Sequence, residues 1–214
     1  MREVILTHGL WVPGVVMQPL AARLERAGFH CRTFSYMGAS RPLAVHAERL
    51  ARMARETGPA HFVGHSLGGL VVMEALITHP EVAVGRVVLL GTPVRGCYAG
   101  RRLARYRVGR WFLGQSEDLW RERHPSGREG GAARWTRREA LGVVAGSLPF
   151  GLGRIFGPLP GVNDGVVNLE ESAVEGMAER VVLPVGHSQM LLSARVAEQV
   201  GAFLSHGKFN SHSS

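Results

Sequence analysis

Three side chains scattered through the 214-residue chain have the types that together break acyl bonds: Ser66, Asp164 and His187. A serine hydroxyl is a poor nucleophile at neutral pH; it needs a histidine base, and the histidine needs a carboxylate to hold one tautomer. Ser66 lies in His61-Phe62-Val63-Gly64-His65-Ser66-Leu67-Gly68-Gly69-Leu70-Val71-Val72, an apolar run that turns through the serine into helix-like sequence. With 28 glycines in the chain, the spacing Gly64-x-Ser66-x-Gly68 carries weight only in that setting. There it predicts a tight strand-to-helix turn, a strained serine backbone, and glycines where neighbouring main chain passes close. The turn would hold the hydroxyl at the carboxyl end of the strand and aim the Leu67 N–H, from the first helical turn, into the same space as an anion donor.

The choice of carboxylate is narrow, because the chain has two aspartates, Asp118 and Asp164. Asp118 sits beside Glu117 in a polar, arginine-rich stretch and reads as a solvated residue. Asp164 lies in Asn163-Asp164-Gly165, 23 residues before His187; a plain Asn-Asp-Gly turn is the alternative. Of the ten histidines, His187 falls between the last strand-like and last helix-like segments, where a loop can reach back over Ser66. The second oxyanion donor is expected from the loop after the first strand, His8-Gly9-Leu10-Trp11, with the N–H of Leu10 as the candidate. Trp11 would line the substrate pocket or its entrance, or simply pack. His65 is a second substrate-side candidate, flanking the site by packing or hydrogen bonding.

These residues need a scaffold that places strand ends side by side. Val4-Ile5-Leu6, Cys31 to Tyr36, His61 to Val63, Arg86 to Leu90, Leu141 to Gly146 and Arg180 to Val185 are short apolar or β-prone runs. Helical stripes such as Met17-Leu20-Leu24 and Leu43-Ala47-Leu50-Ala54 lie between them, and a closing helix carries Leu192, Val196, Val200 and Phe203. Such alternation predicts βαβ units, a mostly parallel central sheet with helices on both faces, and a site at the carboxyl ends of the strands. The rhythm lapses over about 94–139, which reads as a small cap-like insertion within one domain spanning 1–205. Residues 206–214 read as a polar tail.

Apolar content of 45% with 20% charged residues suits a soluble globular domain. No window approaches 18 uninterrupted apolar residues, and the start at Met1 leaves no visible leader, so the expectation is a cytoplasmic protein. Cys31 and Cys97 are too few for a disulfide framework, and their pairing is left open. The net charge of +8 is concentrated: twelve Arg face five acidic residues between Arg95 and Glu139. That segment has no nucleic-acid motif, so no nucleic-acid partner is expected. A solvated surface is the plain reading, with weak contact to an anionic membrane through 95–138 as the alternative.

Taken together, His8-Gly9, Gly64-His65-Ser66-Leu67-Gly68-Gly69, Gly91-Thr92-Pro93, Asn163-Asp164-Gly165-Val166-Val167 and Gly186-His187 resemble the bacterial esterase/lipase branch of the α/β-hydrolase family. The resemblance implies that fold, Ser66 as nucleophile, His187 as general base and acid, Asp164 as its orienting carboxylate, an acyl-enzyme intermediate, and no metal or organic cofactor. The expected activity is hydrolysis of small-molecule or lipid-like carboxylic esters. Two alternatives stay open: an acyltransferase using the same three residues, and a non-catalytic binding module on the same fold.

Overall fold

Continuous apolar runs such as Val4-Ile5-Leu6 and Val87-Val88-Leu89-Leu90 have the composition of strands covered on both faces. The computed structural model describes residues 1–10, 12–37, 41–104, 134–150, 159 and 161–211, and there these runs become six strands. They are β1 (Glu3–Thr7), β2 (His30–Phe34), β3 (Ala60–His65), β4 (Val84–Leu90), β5 (Leu141–Gly146) and β6 (Glu179–Leu183). One sheet contains them in the order β2-β1-β3-β4-β5-β6, and each neighbouring pair is parallel. The α-helices that accompany them are α1 (Gln18–Arg26), α2 (Leu43–Thr57), α3 (Leu67–Thr78) and α4 (Tyr98–Ala104), with α5 (Ala194–His206) following the last strand.

Side chains alternate across a strand, so each apolar run feeds two cores. Ile5, Phe62, Val87, Leu89, Leu141 and Val143 pack with Leu50, Ala54, Leu70, Met73 and Leu76 of α2 and α3. Val4, Leu6, Val63, Val88, Leu90 and Val144 pack on the opposite face with Leu20 and Leu24 of α1 and Val196, Val200 and Phe203 of α5. α3 runs against β3 and β1 under α2, and its residues from Leu67 to Met73 are all buried. That burial accounts for its lack of a polar stripe.

The strand order creates a crevice. From β1 the chain steps outward to β2, then crosses back to β3 on the other side of β1 and continues to β6. The connections leaving β1 and β3 therefore part towards opposite faces, and the gap lies at the carboxyl ends of these two adjacent strands. His8-Gly9 and Ser66 sit there.

The chain end departs from the expected polar tail. α5 begins at the N-cap Ser193, whose Oγ accepts from the Val196 N–H at 3.3 Å, and runs to His206, with Gly207 in the left-handed region. Phe209 is buried 4.8 Å from the Phe203 ring, its N–H donates to Glu179 Oε2 at 2.6 Å, and the Asn210 N–H donates to Gln199 Oε1 at 2.9 Å. An aromatic two residues past a helix C-cap can fold back onto the core, which a polar composition conceals.

Within the cap-like stretch, Trp135 is buried and its Nε1–H donates to the Glu139 carbonyl at 2.6 Å, so this aromatic packs onto the body. Residues 105–133, which hold Asp118 and six of the twelve arginines of that stretch, lie outside the described residues. Cys31 and Cys97 are free thiols. Burial pushes both up to about 12, so neither is a thiolate near neutral pH. No helix among the described residues is long and apolar enough to cross a membrane.

Candidate active site

Ser66 follows β3 and opens α3 with φ 54° and ψ −126°; among the described residues it is the single non-glycine with positive φ. Its N–H is held by the Leu90 carbonyl at 2.9 Å, and its side chain makes no capping bond, so the helix does not engage the hydroxyl. The surrounding glycines are required by different neighbours. A Cβ on Gly64 would lie 2.4 Å from Gly69 Cα, whereas one on Gly68 would lie 2.2 Å from the Thr7 carbonyl oxygen and 2.3 Å from that of His8. One on Gly69 would lie 2.0 Å from Thr92 Oγ1. The turn is thus compressed between β1 and the corner after β4, and no side chain fits at these positions.

Asp164 and His187 come from the loops after β5 and β6. Asn163 Oδ1 accepts from the Gly165 N–H at 3.0 Å, and Gly165 adopts φ 97°, which closes a tight turn around the aspartate. Asp164 Oδ1 then accepts from the amides of Val166 at 2.9 Å and Val167 at 2.7 Å, leaving Oδ2 for His187 Nδ1 at 2.7 Å. The His187 N–H donates to the Asp164 carbonyl at 2.8 Å, tying the two loops by main chain as well. Asp164 is 1% exposed. Burial alone would push its carboxyl up, but the His187 ring and the Val167 and Val166 amides outweigh that and hold it below the usual range. An ionised Asp164 fixes the proton on His187 Nδ1 and leaves Nε2 as the basic nitrogen.

The turn and the acid–imidazole pair meet at the end of β4. The Leu90 carbonyl holds Ser66, and a Cβ on the next residue, Gly91, would come within 2.9 Å of Asp164 Oδ2 and 3.0 Å of His187 Nδ1. The ring of His65, the residue before the serine, lies 4.8 Å from that of His187. The turn that bears Ser66 and the Asp164–His187 pair are thus gathered around one strand corner.

The loop after β1 closes the near side. A Cβ on Gly9 would lie 3.0 Å from Ser66 Cβ, so this loop passes directly over the turn. Tyr36, which sequence reasoning did not single out, clamps it: its N–H donates to His8 Nε2 at 3.1 Å, its hydroxyl donates to the His8 carbonyl at 2.9 Å, and the rings stack at 4.6 Å. Because Nε2 accepts, His8 carries its proton on Nδ1 and donates to the Gly9 carbonyl at 2.8 Å. Leu10 is half-buried and packs with Cys97, Ala99, Leu159 and Val166, an apolar cluster two residues from Asp164. Leu67 opens α3, so its N–H is one of the first-turn amides the helix does not pair.

Trp11 lies outside the described residues. His65 is brought to the site but is 5% exposed, with Nε2 at 3.1 Å from the His187 carbonyl oxygen, so it faces the histidine loop rather than an open pocket. Glu171 was also missed. Buried at 6% exposure, it accepts from the Tyr98 and Asn168 amides and ties the start of the cap-like stretch to the loop beyond Asp164. In the sequence it is one of an ordinary pair of glutamates, with no signal to mark it.

Similarity to known proteins runs along the whole fold. RutD of Yersinia enterocolitica, named as a proposed carbamate hydrolase, is 29% identical over 119 residues, which is 47% of this chain and 42% of that relative. This chain therefore spans less than half the length of that curated relative in the match. The mature lipase BlEst2 of Bacillus licheniformis superposes with a TM-score of 0.71 at 17% identity, covering 97% of this chain and 92% of that one. The esterase EaEST of Exiguobacterium antarcticum gives 0.63 at 14% identity, covering 96% and 92%. At such identities these structures speak to the fold alone. The sequence pattern of the alpha/beta hydrolase family matches residues 4–199, most of the chain from β1 into α5, and the chain belongs to that family.

Proposed function

We propose that the protein is a serine hydrolase of carboxylic esters. In the first half-reaction Ser66 Oγ attacks the ester carbonyl while His187 Nε2 takes its proton. The N–H groups of Leu67 and Leu10 receive the charge on the carbonyl oxygen, and His187 returns the proton to the departing alkoxide. The acyl group is then on Ser66 Oγ. In the second half-reaction His187 removes a proton from water, which attacks the acyl-serine, and the acid leaves as the proton returns to Ser66. Asp164 stays ionised throughout and stabilises the imidazolium. The small apolar cluster of Leu10, Cys97, Leu159 and Val166 suits the acyl side of a short or medium ester.

One observation carries this reading: the 2.7 Å bond from His187 Nδ1 to a buried Asp164 lies at the same strand corner as the strained turn that bears Ser66. The test is turnover of a series of chromogenic esters of increasing acyl length, with a carbamate included because of the Yersinia relative. Wild type is compared with Ser66→Ala, and a fluorophosphonate probe is mapped by mass spectrometry. Turnover that falls by about 10⁴-fold or more in the alanine variant, with the probe on Ser66, is the expected result. An alanine variant as active as wild type, or an active wild type labelled elsewhere, refutes it.

A further inference from the structure

His65 has an environment that neither substrate contact nor helix packing explains. Its side chain is buried with Nδ1 shut off from solvent, and Nε2 faces the main-chain oxygen of His187 at 3.1 Å. A carbonyl only accepts, so Nε2 carries the proton and Nδ1 is bare. The assignment is consistent with Nδ1, which has no hydrogen-bond partner among the described residues; the opposite tautomer would set two acceptors together and bury an unpaired N–H. The two imidazoles lie 4.8 Å apart at an interplanar angle of 45°. On its other side His65 meets the loop after β1, where a Cβ on Gly9 would fall 3.3 Å from Nδ1. Burial first, and then the neighbouring His187, lower its pKa to about 3, against the opposing pull of the His187 carbonyl and Asp164, with His8 a further lowering neighbour. The ring is therefore neutral wherever an imidazole base can work.

His187 reaches the site from the loop after β6, and three anchors hold it. Asp164 takes Nδ1, the Asp164 carbonyl takes the N–H, and His65 donates to the carbonyl. The first two come from the acid loop, whereas the third comes from the residue next to the nucleophile. A shift of the β6 loop relative to the turn would leave the first two bonds intact and break the third. We propose that His65 is a positioning residue: its Nε2–H fixes the His187 main chain to the Ser66 turn, and its neutral ring backs the imidazole, so that base and nucleophile keep their separation. The inference rests on the serine hydrolase reading and adds to it the group that couples the two loops.

The experiment compares His65→Leu, His65→Gln and His65→Asn with wild type on one chromogenic ester, measuring kcat, KM, the pH profile of kcat/KM and the rate of fluorophosphonate labelling at Ser66. Gln places its amide nitrogen near the position of Nε2, whereas Asn places it near Nδ1. A role in packing or polarity alone would not favour Gln over Asn. The expected result is a kcat lowered about 10- to 100-fold in Leu and Asn, with KM changed less than about 2-fold and labelling slowed in parallel. The pH profile of kcat/KM changes shape in those two variants, and Gln retains most of kcat with the wild-type profile. Urea unfolding of each variant identifies any that fails to fold, and the Gln and Asn pair then decides. Equal kcat in Gln and Asn, or a loss confined to KM, overturns the inference while the hydrolase reading stands. A wild type that neither turns over esters nor labels at Ser66 overturns that reading, and the inference with it.

Discussion

Asp164→Asn separates charge and tautomer from shape, because the new side chain is almost isosteric and the demands on its two ends are incompatible. Oδ1 of Asp164 accepts two amides, from Val166 and Val167, while Oδ2 accepts from His187 Nδ1. With its oxygen left on the two amides, the asparagine turns its NH₂ towards His187. The ring must then offer Nδ1 as an acceptor and move its proton to Nε2, the nitrogen that has to receive the proton of Ser66. The flipped amide would instead set an NH₂ against two N–H donors in a site 1% exposed, leaving buried donors unpaired at about 1–3 kcal/mol each. The first arrangement is favoured, so the fold survives and the base is disabled. A wrong tautomer in a triad costs about 10⁴ in kcat, equivalent to about 5 kcal/mol of barrier at 1.36 kcal/mol per decade. The assay is kcat and KM for a short-chain chromogenic ester, alongside urea unfolding of the same preparation. A folded Asp164→Asn protein within tenfold of wild-type kcat would refute the assignment of Asp164 as the group that orients His187.

Two further outcomes follow from the packing. Gly68→Ala puts a methyl against the Thr7 and His8 carbonyl oxygens, main-chain atoms that cannot rotate away, and is expected to destabilise the protein by about 3 kcal/mol or more; an unchanged urea midpoint would contradict the compressed turn. The buried histidines make stability fall in acid. His65 binds a proton near 6.5 when unfolded but near 3 when folded, so its unfolded form takes up protons first as pH drops, and stability is lost from about pH 6.5 downward, by about 2 kcal/mol between pH 7 and pH 5. The lowered pKa values of His8, His46 and His61 act in the same direction. Asp164, whose folded pKa is also lowered, gives stability that is present above the ordinary carboxylate range and lost as pH falls through its folded value. Urea midpoints at pH 7, 6 and 5 measure the histidine window, and His65→Gln should flatten it by about that 2 kcal/mol; an identical slope in that variant would sink the account.

The fold was legible because its signals are local. Apolar runs of strand length and the helical stripes between them need no knowledge of distant contacts. The pairing of Asp164 with His187 was legible for a different reason: a chain with two aspartates leaves few candidates. Phe209 was not, since a lone aromatic in a polar tail has no periodicity to reveal that it lands on Phe203. Tyr36 read as the end of a strand, and its grip on His8 spans 28 residues. The arginine-rich stretch remains an expectation over residues 105–133, which lie outside the described residues, and so does the role of Trp11.

The sequence by itself determined the succession of strands and helices, the sharp turn at Ser66 and the order of serine, acid and histidine along the chain, because backbone preference and side-chain periodicity act over a few residues. Only the tertiary structure decided that Gly68 must be bare on account of Thr7 and His8, that the Leu90-Gly91 corner touches the serine turn and the acid–imidazole pair at once, and that His65 faces His187. Those relations depend on the order β2-β1-β3-β4-β5-β6, which sets remote loops side by side. Close approach between remote segments is a property of the packed sheet, and no single segment carries it in its own residues.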